Sequence, residues 1–235
     1  KFKKTSFLII FLAGAFSSLS LPPFNYFYIN FFTLSFLFLF LIQNKTFSKK
    51  ILFFYGWLFG FGFFLSSLYW IAISLTFDSD FKFLIPISII LLPSFLALFF
   101  AVPIFLLSFF NNFSKFNLLL IFSIFLGFSE YVRGNILTGF PWNLFIFSFS
   151  ENLLFLQLLS VFGTYGLNLI CISFFLLPSI IFFKKKKLEK LVSFIFLFAF
   201  LSFFLFGNHR VNQDNTNINF EKGATIKVIS SKIEI

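Results

Sequence analysis

Long apolar segments divide the chain, and this feature restricts its fold more than any other. A membrane-spanning helix needs about 20 predominantly apolar residues at 1.5 Å rise each. Seven segments meet this requirement: residues 7–24, 26–42, 51–76, 83–110, 116–133, 153–183 and 191–207. Because 59% of the residues are hydrophobic and only 11% are charged, an ordinary water-soluble fold is excluded. The sequence therefore predicts an all-α polytopic membrane protein with about seven transmembrane helices.

The basic residues lie mainly in the connections between these segments. If the N-terminus is cytoplasmic, twelve of the 18 Lys and Arg residues fall on the cytoplasmic side, and seven of the eight Asp and Glu residues fall on the other. This distribution follows the positive-inside rule and does not resemble a nucleic-acid groove. We therefore expect a multi-pass protein of a bacterial inner membrane, with a cytoplasmic N-terminus, a periplasmic C-terminal end and no nucleic-acid partner.

The first segment has a second interpretation. Residues 1–20 combine a basic start, an apolar centre and small residues, as a signal peptide does. Cleavage there would leave six spans and place the lysine-rich connections on the wrong side of the membrane, so a first transmembrane helix is favoured.

The composition changes abruptly after Gly207. A polar stretch begins at Asn208, and residues 224–230 then alternate Ile226 and Val228 with polar neighbours, as a β-strand does. A strand needs partners for its backbone donors and acceptors, and the sequence ends at Ile235. We therefore expect a transmembrane helical bundle over residues 1–207, and a periplasmic linker with the first strand of a truncated second domain over residues 208–235.

Two glycines of the third segment are candidates for helix packing. Gly56 and Gly60 lie four residues apart on one helix face, where another helix can approach closely. A single cysteine, Cys171, excludes an intrachain disulfide and a cysteine-based zinc site. Since Cys171 lies deep in an apolar segment, where a thiolate is disfavoured, we interpret it as structural. No metal or cofactor is expected.

The fifth segment and the residues after it carry the most distinctive pattern. Glu130 and Arg133 lie three residues apart, which on a helix allows them to pair and lowers the cost of charge at the membrane edge. Gly139 and Pro141 then interrupt a regular helix, and Trp142 suits the headgroup level. These five residues predict a helix end followed by a packed, non-helical loop at the periplasmic membrane edge.

These motifs together resemble the membrane domain of bacterial apolipoprotein N-acyltransferases. The E-x-x-R-G pattern stands at residues 130–134, and T-G-F-P-W follows at 138–142. Supporting matches are L-S-L-P-P-F at 19–24, G-W-L-F-G-F-G at 56–62 with Trp70, Gln157, and G-T-Y-G-L-N at 163–168. The similarity covers nearly the whole chain, and the predicted strand stands where the family begins an α/β nitrilase-like periplasmic domain.

The resemblance implies an enzyme of lipoprotein maturation. A phospholipid would donate an acyl chain to an enzyme cysteine, and the N-terminal diacylglyceryl-cysteine of a lipoprotein would then accept it. In the family a Glu acts as base, a Lys stabilises the oxyanion and a Cys is the nucleophile, all in the nitrilase-like domain. No catalytic residue is therefore expected within residues 1–235, and we expect this chain alone to be an inactive monomer.

A function of another class stays open at this point. A small polytopic transporter or a non-catalytic scaffold would also be apolar and basic. A transporter predicts ionisable residues at span centres and internal repeats, and the sequence shows neither pattern. The acyltransferase interpretation is therefore favoured, with the loop from Glu130 to Trp142 bordering the route by which acyl chains reach the site.

Overall fold

The computed structural model describes residues 4–44, 47–137, 139–182 and 187–216. Throughout this described part the secondary structure is helical and contains no strand, which confirms the predicted all-α class. The predicted strand around Ile226 lies outside the described residues.

The first two helices form a hairpin. Helix α1 (Lys4–Ser17) continues into a 3₁₀ turn (Ser18–Ser20), and helix α2 (Ile29–Gln43) returns after the turn that contains Pro22 and Pro23. Proline cannot donate a backbone hydrogen bond, so neither helix continues through this turn. Inside the hairpin, the Ser17 hydroxyl donates to Asn30 Oδ1 (2.5 Å) and Asn30 Nδ2 donates to the Ser20 hydroxyl (2.7 Å). The buried polar side chains thereby satisfy one another.

Helix α3 (Lys49–Leu68) packs between α1 and the later helices, and a short helix α4 (Ile71–Ser74) follows it. The predicted segment 83–110 is not one helix. It comprises a 3₁₀ turn (Ser79–Leu84), helices α5 (Ile85–Leu96) and α6 (Leu98–Leu107), and a second 3₁₀ turn (Ser108–Phe110). Pro93 and Pro103 lie inside α5 and α6, where each removes a backbone donor. The Trp57 indole donates to the Ser94 carbonyl (3.0 Å) beside the break.

Helix α7 (Lys115–Asn135) begins where the Ser114 hydroxyl accepts from the Asn117 amide (3.2 Å), as an N-cap does. A 3₁₀ turn (Phe145–Phe149) and helices α8 (Leu153–Leu156) and α9 (Leu159–Phe175) follow, and the 3₁₀ turn Leu177–Phe182 ends this part. The sixth predicted segment, 153–183, is therefore interrupted. Gly163 lies inside α9 with φ of 65°, a conformation that favours glycine because other residues clash there.

Helix α10 (Lys187–Thr216) is longer than its predicted apolar segment. It passes without a break through residue 208, where the sequence predicts a domain boundary, and that boundary stays a prediction. Gly207 is buried, and a Cβ there would lie 1.9 Å from the Leu154 carbonyl oxygen. The change to a polar composition after Gly207 is therefore not the end of a helix. Gly207 lies within the continuous helix α10, where it allows close packing against Leu154.

Within the part of the chain that the structure describes, five helical stretches are long and apolar enough to cross a membrane. These are Lys49–Leu68, Ser79–Phe110, Lys115–Asn135, Leu159–Ile180 and Leu191–Gln213, and two shorter apolar stretches are Thr5–Ser20 and Ile29–Gln43. Many large apolar side chains are exposed on these helices, among them Phe32, Ile90 and Phe198, as expected where lipid replaces water. The fold is that of a polytopic membrane protein, and the count of seven spans stays a prediction.

The glycines of α3 lie against α6. A Cβ at Gly56 would lie 2.9 Å from the Ala101 Cα, and one at Gly60 would lie 2.9 Å from the Ala97 Cα. Real Cβ atoms do not approach backbone this closely, so the helices touch through their backbones. Dispersion contacts of this kind hold membrane helices together, because lipid removes the hydrophobic driving force between them.

We predict that Gly60→Ala lowers stability by about 1–3 kcal/mol, since the methyl group overpacks the contact with α6. Gly166→Ala is the matched control. Its Cβ would meet only the Phe162 Cβ at 3.6 Å, an ordinary contact, and alanine favours the helix. Thermal unfolding of both variants in detergent micelles measures the difference. Equal unfolding temperatures for the two variants would show that the α3–α6 contact tolerates a methyl group.

Candidate functional site

The two charged residues of α7 form a buried ion pair. Arg133 Nη2 lies 3.6 Å from Glu130 Oε1, and each side chain is only 1% exposed. Their spacing of three residues puts them on one helix face. Protein surrounds both side chains, which the sequence alone did not predict. Glu130 Oε1 and Arg133 Nε and Nη2 make no hydrogen bond to the described residues, so these atoms depend on the ion pair itself for compensation.

Arg133 holds the loop that follows its own helix. Its Nη1 donates to the carbonyl oxygens of Phe140 (2.8 Å) and Trp142 (2.6 Å). The Phe140 amide in turn donates to the Arg133 carbonyl (2.9 Å). The Phe64 ring of α3 lies 5.2 Å from the guanidinium carbon, a cation–π distance. One cation thus binds the carbonyl groups of two loop residues on either side of Pro141, neither of which belongs to a helix.

Asn168 of α9 completes the buried network. Its Nδ2 donates to Glu130 Oε2, and its Oδ1 accepts from the Ile146 amide (3.0 Å). Asn168 is 0% exposed. The side chain therefore joins α7, α9 and the 3₁₀ turn after the loop. Sequence reasoning gave Asn168 no role of its own, although an amide within an apolar span is the signal that could have identified it.

The loop itself depends on left-handed backbone conformations. Leu137, Gly139 and Asn143 have φ values of 58°, 76° and 59°. A Cβ at Gly139 would lie 2.6 Å from the Gly134 carbonyl oxygen, so only glycine fits this turn back towards α7. Gly134 is needed for a different contact, because a Cβ there would lie 1.9 Å from the Tyr165 hydroxyl.

Trp142 lies at the outer side of this loop. Its ring is 52% exposed and lies 5.4 Å from the Trp70 ring and 6.3 Å from the Phe140 ring, measured between centroids. Asn143 Nδ2 donates to the Ser67 hydroxyl (2.6 Å), which fastens the loop to the end of α3. The structure thus brings Glu130, Arg133, Gly139, Pro141 and Trp142 into one unit, whereas Gly56 and Gly60 lie apart on α3.

A groove of about 1000 Å³ opens beside the loop. It lies between the end of α1, the hairpin turn, the end of α3 and the loop. The lining is mostly apolar, and its polar members carry hydroxyl or amide groups and no charge. The lining residues are Leu12, Ala15, Phe16, Ser18, Leu19, Leu21, Pro22, Pro23, Phe24, Ser66, Ser67, Tyr69, Trp70, Pro141, Trp142, Asn143, Phe147 and Ser150. The volume is at the upper end for small-molecule sites, about 300–1000 Å³.

Other residues with reactive side chains lie away from this groove. Cys171 is 0% exposed inside α9. Asp78 and Asp80 lie on an exposed turn, where Asp78 Oδ1 accepts from the Asp80 amide (3.0 Å). Among the described residues, no group of three or more His, Cys, Asp or Glu side chains could hold a metal ion.

We predict that Arg133→Ala destabilises the chain by about 3–5 kcal/mol, because Glu130 then remains buried without its partner. Adding Glu130→Gln should recover part of this loss, since a neutral amide is less costly to bury than a carboxylate. Arg210→Ala, which removes a partly exposed arginine bonded to Ser160, is the control. Thermal unfolding in detergent tests all three. An Arg133→Ala variant as stable as Arg210→Ala would show that the network does not hold the loop.

Comparisons with known proteins agree with the motifs. Residues 13–177 match the family described as apolipoprotein N-acyltransferase N-terminal domain. Several relatives carry the name apolipoprotein N-acyltransferase, and three of them illustrate the similarity. That of Rhodopseudomonas palustris is 37% identical over 179 residues, covering 74% of this chain and 33% of the relative. That of Rickettsia prowazekii is 35% identical over 211 residues (89% and 42%), and that of Brucella melitensis is 32% identical over 188 residues (74% and 34%).

The chain thus spans about a third of the length of the curated relatives it matches. The match covers the described helices from within α1 to the end of α9, and includes the ion pair, the loop and Asn168. The resemblance inferred from the motifs is therefore confirmed: the chain belongs to the apolipoprotein N-acyltransferase N-terminal domain family.

Proposed function

We propose that this chain is the membrane part of an apolipoprotein N-acyltransferase. The complete protein would transfer an acyl chain from a phospholipid to the N-terminal diacylglyceryl-cysteine of lipoproteins. The groove beside the Arg133-held loop is the observation that carries the proposal. Both substrates are amphiphiles, and the groove presents apolar walls with uncharged polar groups from Ser66, Ser67 and Asn143.

The groove suits an acyl chain better than a soluble metabolite. Most of its surface comes from Leu, Phe, Trp, Tyr and Pro side chains, which offer dispersion contacts and few hydrogen bonds. Phe16 and Phe24 are 56% and 52% exposed, so the groove is open along the side of the bundle as well as at its end. A lipid can therefore enter laterally, without leaving the bilayer. We propose that the phospholipid donor occupies this groove.

Several contacts support the proposed orientation in a bacterial inner membrane. Lys49 Nζ lies 3.4 Å from the centroid of the Phe109 ring, so the start of α3 and the end of α6 share one end of the bundle. The ends of α1, α3 and α7 share the opposite end, where the groove and the loop lie. With the lysine-rich end cytoplasmic, we propose seven spans, a cytoplasmic N-terminus and a groove at the periplasmic face.

The domain arrangement is also part of the proposal. Residues 1–207 would form the transmembrane bundle, and residues 208–235 would lead into a nitrilase-like periplasmic domain that carries the catalytic Glu, Lys and Cys. The burial of Cys171 supports this division, because a cysteine inside α9 cannot reach a substrate ester. We propose that residues 1–235 bind the lipid donor as a monomer and do not catalyse transfer by themselves.

Reporter fusions test the orientation. Alkaline phosphatase, which is active only in the periplasm, should be active when fused after Ile235 or after Asp80. It should be silent when fused after Asn44 or Lys187, because the lysine-rich connections remain in the cytoplasm. The opposite pattern after Ile235 and Lys187 would mean that the span count is wrong by one.

Acyl transfer by the complete protein tests the function. With radiolabelled phosphatidylethanolamine and a diacylglyceryl-cysteine peptide, we expect N-acylated peptide from the complete protein and none from residues 1–235. Ser66→Trp should lower the rate by about 5- to 150-fold, because an overpacked site costs about 1–3 kcal/mol. Ser74→Trp places the same indole on the exposed α4 and should keep the normal rate. Equal rates for the two variants would exclude the groove as the donor site, and product from residues 1–235 would contradict their inactivity.

A further inference from the structure

The inner end of the groove is a point where two helix backbones touch. A Cβ at Gly14 of α1 would lie 2.0 Å from the Phe59 carbonyl oxygen, and one at Gly62 of α3 would lie 2.2 Å from the Phe11 carbonyl oxygen. Neither glycine accepts a side chain without moving the other helix. The α1–α3 crossing therefore leaves no space between the helices at this level.

The groove begins directly beyond this crossing. Ser66, the first residue of α3 that lines the groove, lies four residues after Gly62, or about 6 Å along the helix axis. Leu12 and Ala15 lie three residues apart on one face of α1 and line this wall, which Leu19 of the following 3₁₀ turn continues. The two helices thus separate towards the loop, and the groove fills the space between them.

Ala15 lies at the α1–α3 crossing and also lines the groove. Its backbone nitrogen lies 3.0 Å from where a Cβ of Gly62 would stand, and its methyl group lines the groove. Leu12 lies one turn further in and is 40% exposed at the side of the bundle. A chain that reaches the inner end must therefore pass the Ala15 methyl group, which is the smallest side chain on the α1 wall of the groove.

This wall is held in place. Ser17 and Ser20, at the end of α1, are joined through Asn30 of α2 by the buried hydrogen bonds within the hairpin. The crossing fixes α1 from the other side. Because close-packed interiors respond poorly to added volume, a larger side chain at residue 15 would project into the groove and would not push α1 aside.

The two ends of the groove differ in polarity. Ser67 and Asn143 are bonded to each other near the loop, beside the rings of Trp70 and Trp142. On the α1 side of the inner end, the lining residues Leu12, Ala15 and Phe16 are all apolar. An amphiphile therefore lies with its polar part at the loop and its terminal methyl group towards Ala15.

From this geometry we propose that Ala15 sets the length of the acyl chain that the groove accepts. The inference rests on the proposed function, since it takes the occupant to be the acyl chain of the phospholipid donor. The bilayer is as apolar as the groove, so burial of a longer chain brings no hydrophobic gain. Selection between chain lengths must then come from fit, and Ala15 limits the fit at the inner end.

Photolabelling of the 235-residue chain in phosphatidylcholine nanodiscs tests this inference. The probes are phosphatidylethanolamines with a diazirine on the terminal carbon of a decanoyl or a palmitoyl chain, and labelled residues are mapped by mass spectrometry. In the wild-type chain, the palmitoyl probe should label α1 near Leu12 and the decanoyl probe should label groove residues nearer the loop. Ala15→Phe should reduce groove labelling by the palmitoyl probe about tenfold, the cost of moderate overpacking, and leave labelling by the decanoyl probe unchanged.

Leu8→Phe, which adds a ring at a 59% exposed position of the same helix outside the groove, should change neither probe. Equal labelling ratios in Ala15→Phe and the wild type would overturn the role of Ala15 while leaving the groove as a lipid site. Absence of groove labelling by both probes in the wild type would overturn the lipid site itself. If Ala15→Phe does not assemble into nanodiscs, Ala15→Val is tested in its place. The ratio of palmitoyl to decanoyl labelling in the groove should then fall by a smaller factor, and an unchanged ratio would overturn the role of Ala15.

Discussion

The guanidinium of Arg133 is buried in a bundle whose other side chains are largely apolar, and its partners determine the shape of the periplasmic end that we propose. A cation at this depth is costly, so its donors must reach acceptors. Nη1 reaches the Phe140 and Trp142 carbonyl oxygens, whereas Nε and Nη2 make no hydrogen bond to the described residues and are balanced only by the charge of Glu130. Asn168 is hydrogen-bonded to both Glu130 and the Ile146 amide. The network around the buried charges therefore links α7 to α9 and to the 3₁₀ turn that contains Ile146. An irregular segment can persist at the membrane edge only when its backbone groups are satisfied in this way.

The groove depends on this network at one end and on glycine packing at the other. At its outer end, Asn143 bonds Ser67 and so holds the loop against α3. At its inner end, Gly14 and Gly62 bring α1 and α3 into backbone contact. Both constraints act on α3, from opposite ends of the groove. The groove therefore keeps its shape without contacts across its interior, because the helices and the loop that border it are held by contacts at its two ends.

Much of this arrangement could be predicted from the sequence, and the remainder depended on contacts between distant segments. Hydrophobic length predicted helices in all seven apolar segments, and the E-x-x-R spacing predicted the pairing of Glu130 with Arg133. The breaks at residue 97 and at Gly163, and the continuation of α10 past Gly207, were not predicted. Two of these features involve a tertiary partner, since the Ser94 carbonyl is bonded by Trp57 and Gly207 packs on Leu154, whereas the break at Gly163 rests on its backbone conformation. The sequence did not identify the role of Asn168 for the same reason, since its partners lie 38 and 22 residues away.

The solvent determines what such a groove can contribute to acyl transfer. A soluble enzyme that buries an acyl chain gains about 0.8 kcal/mol for each methylene removed from water, whereas a groove open to lipid exchanges one apolar environment for another. Such a groove can then contribute only by positioning the lipid, and not by removing it from water. If a lipid occupies the groove as proposed, polar groups near the loop and a closed inner end would restrict it to one direction and one depth, and fixing a reactant in this way is itself a large catalytic effect. The bundle would therefore act on the rate through geometry, by presenting the donor ester at the level of Trp142, where a periplasmic domain can reach it.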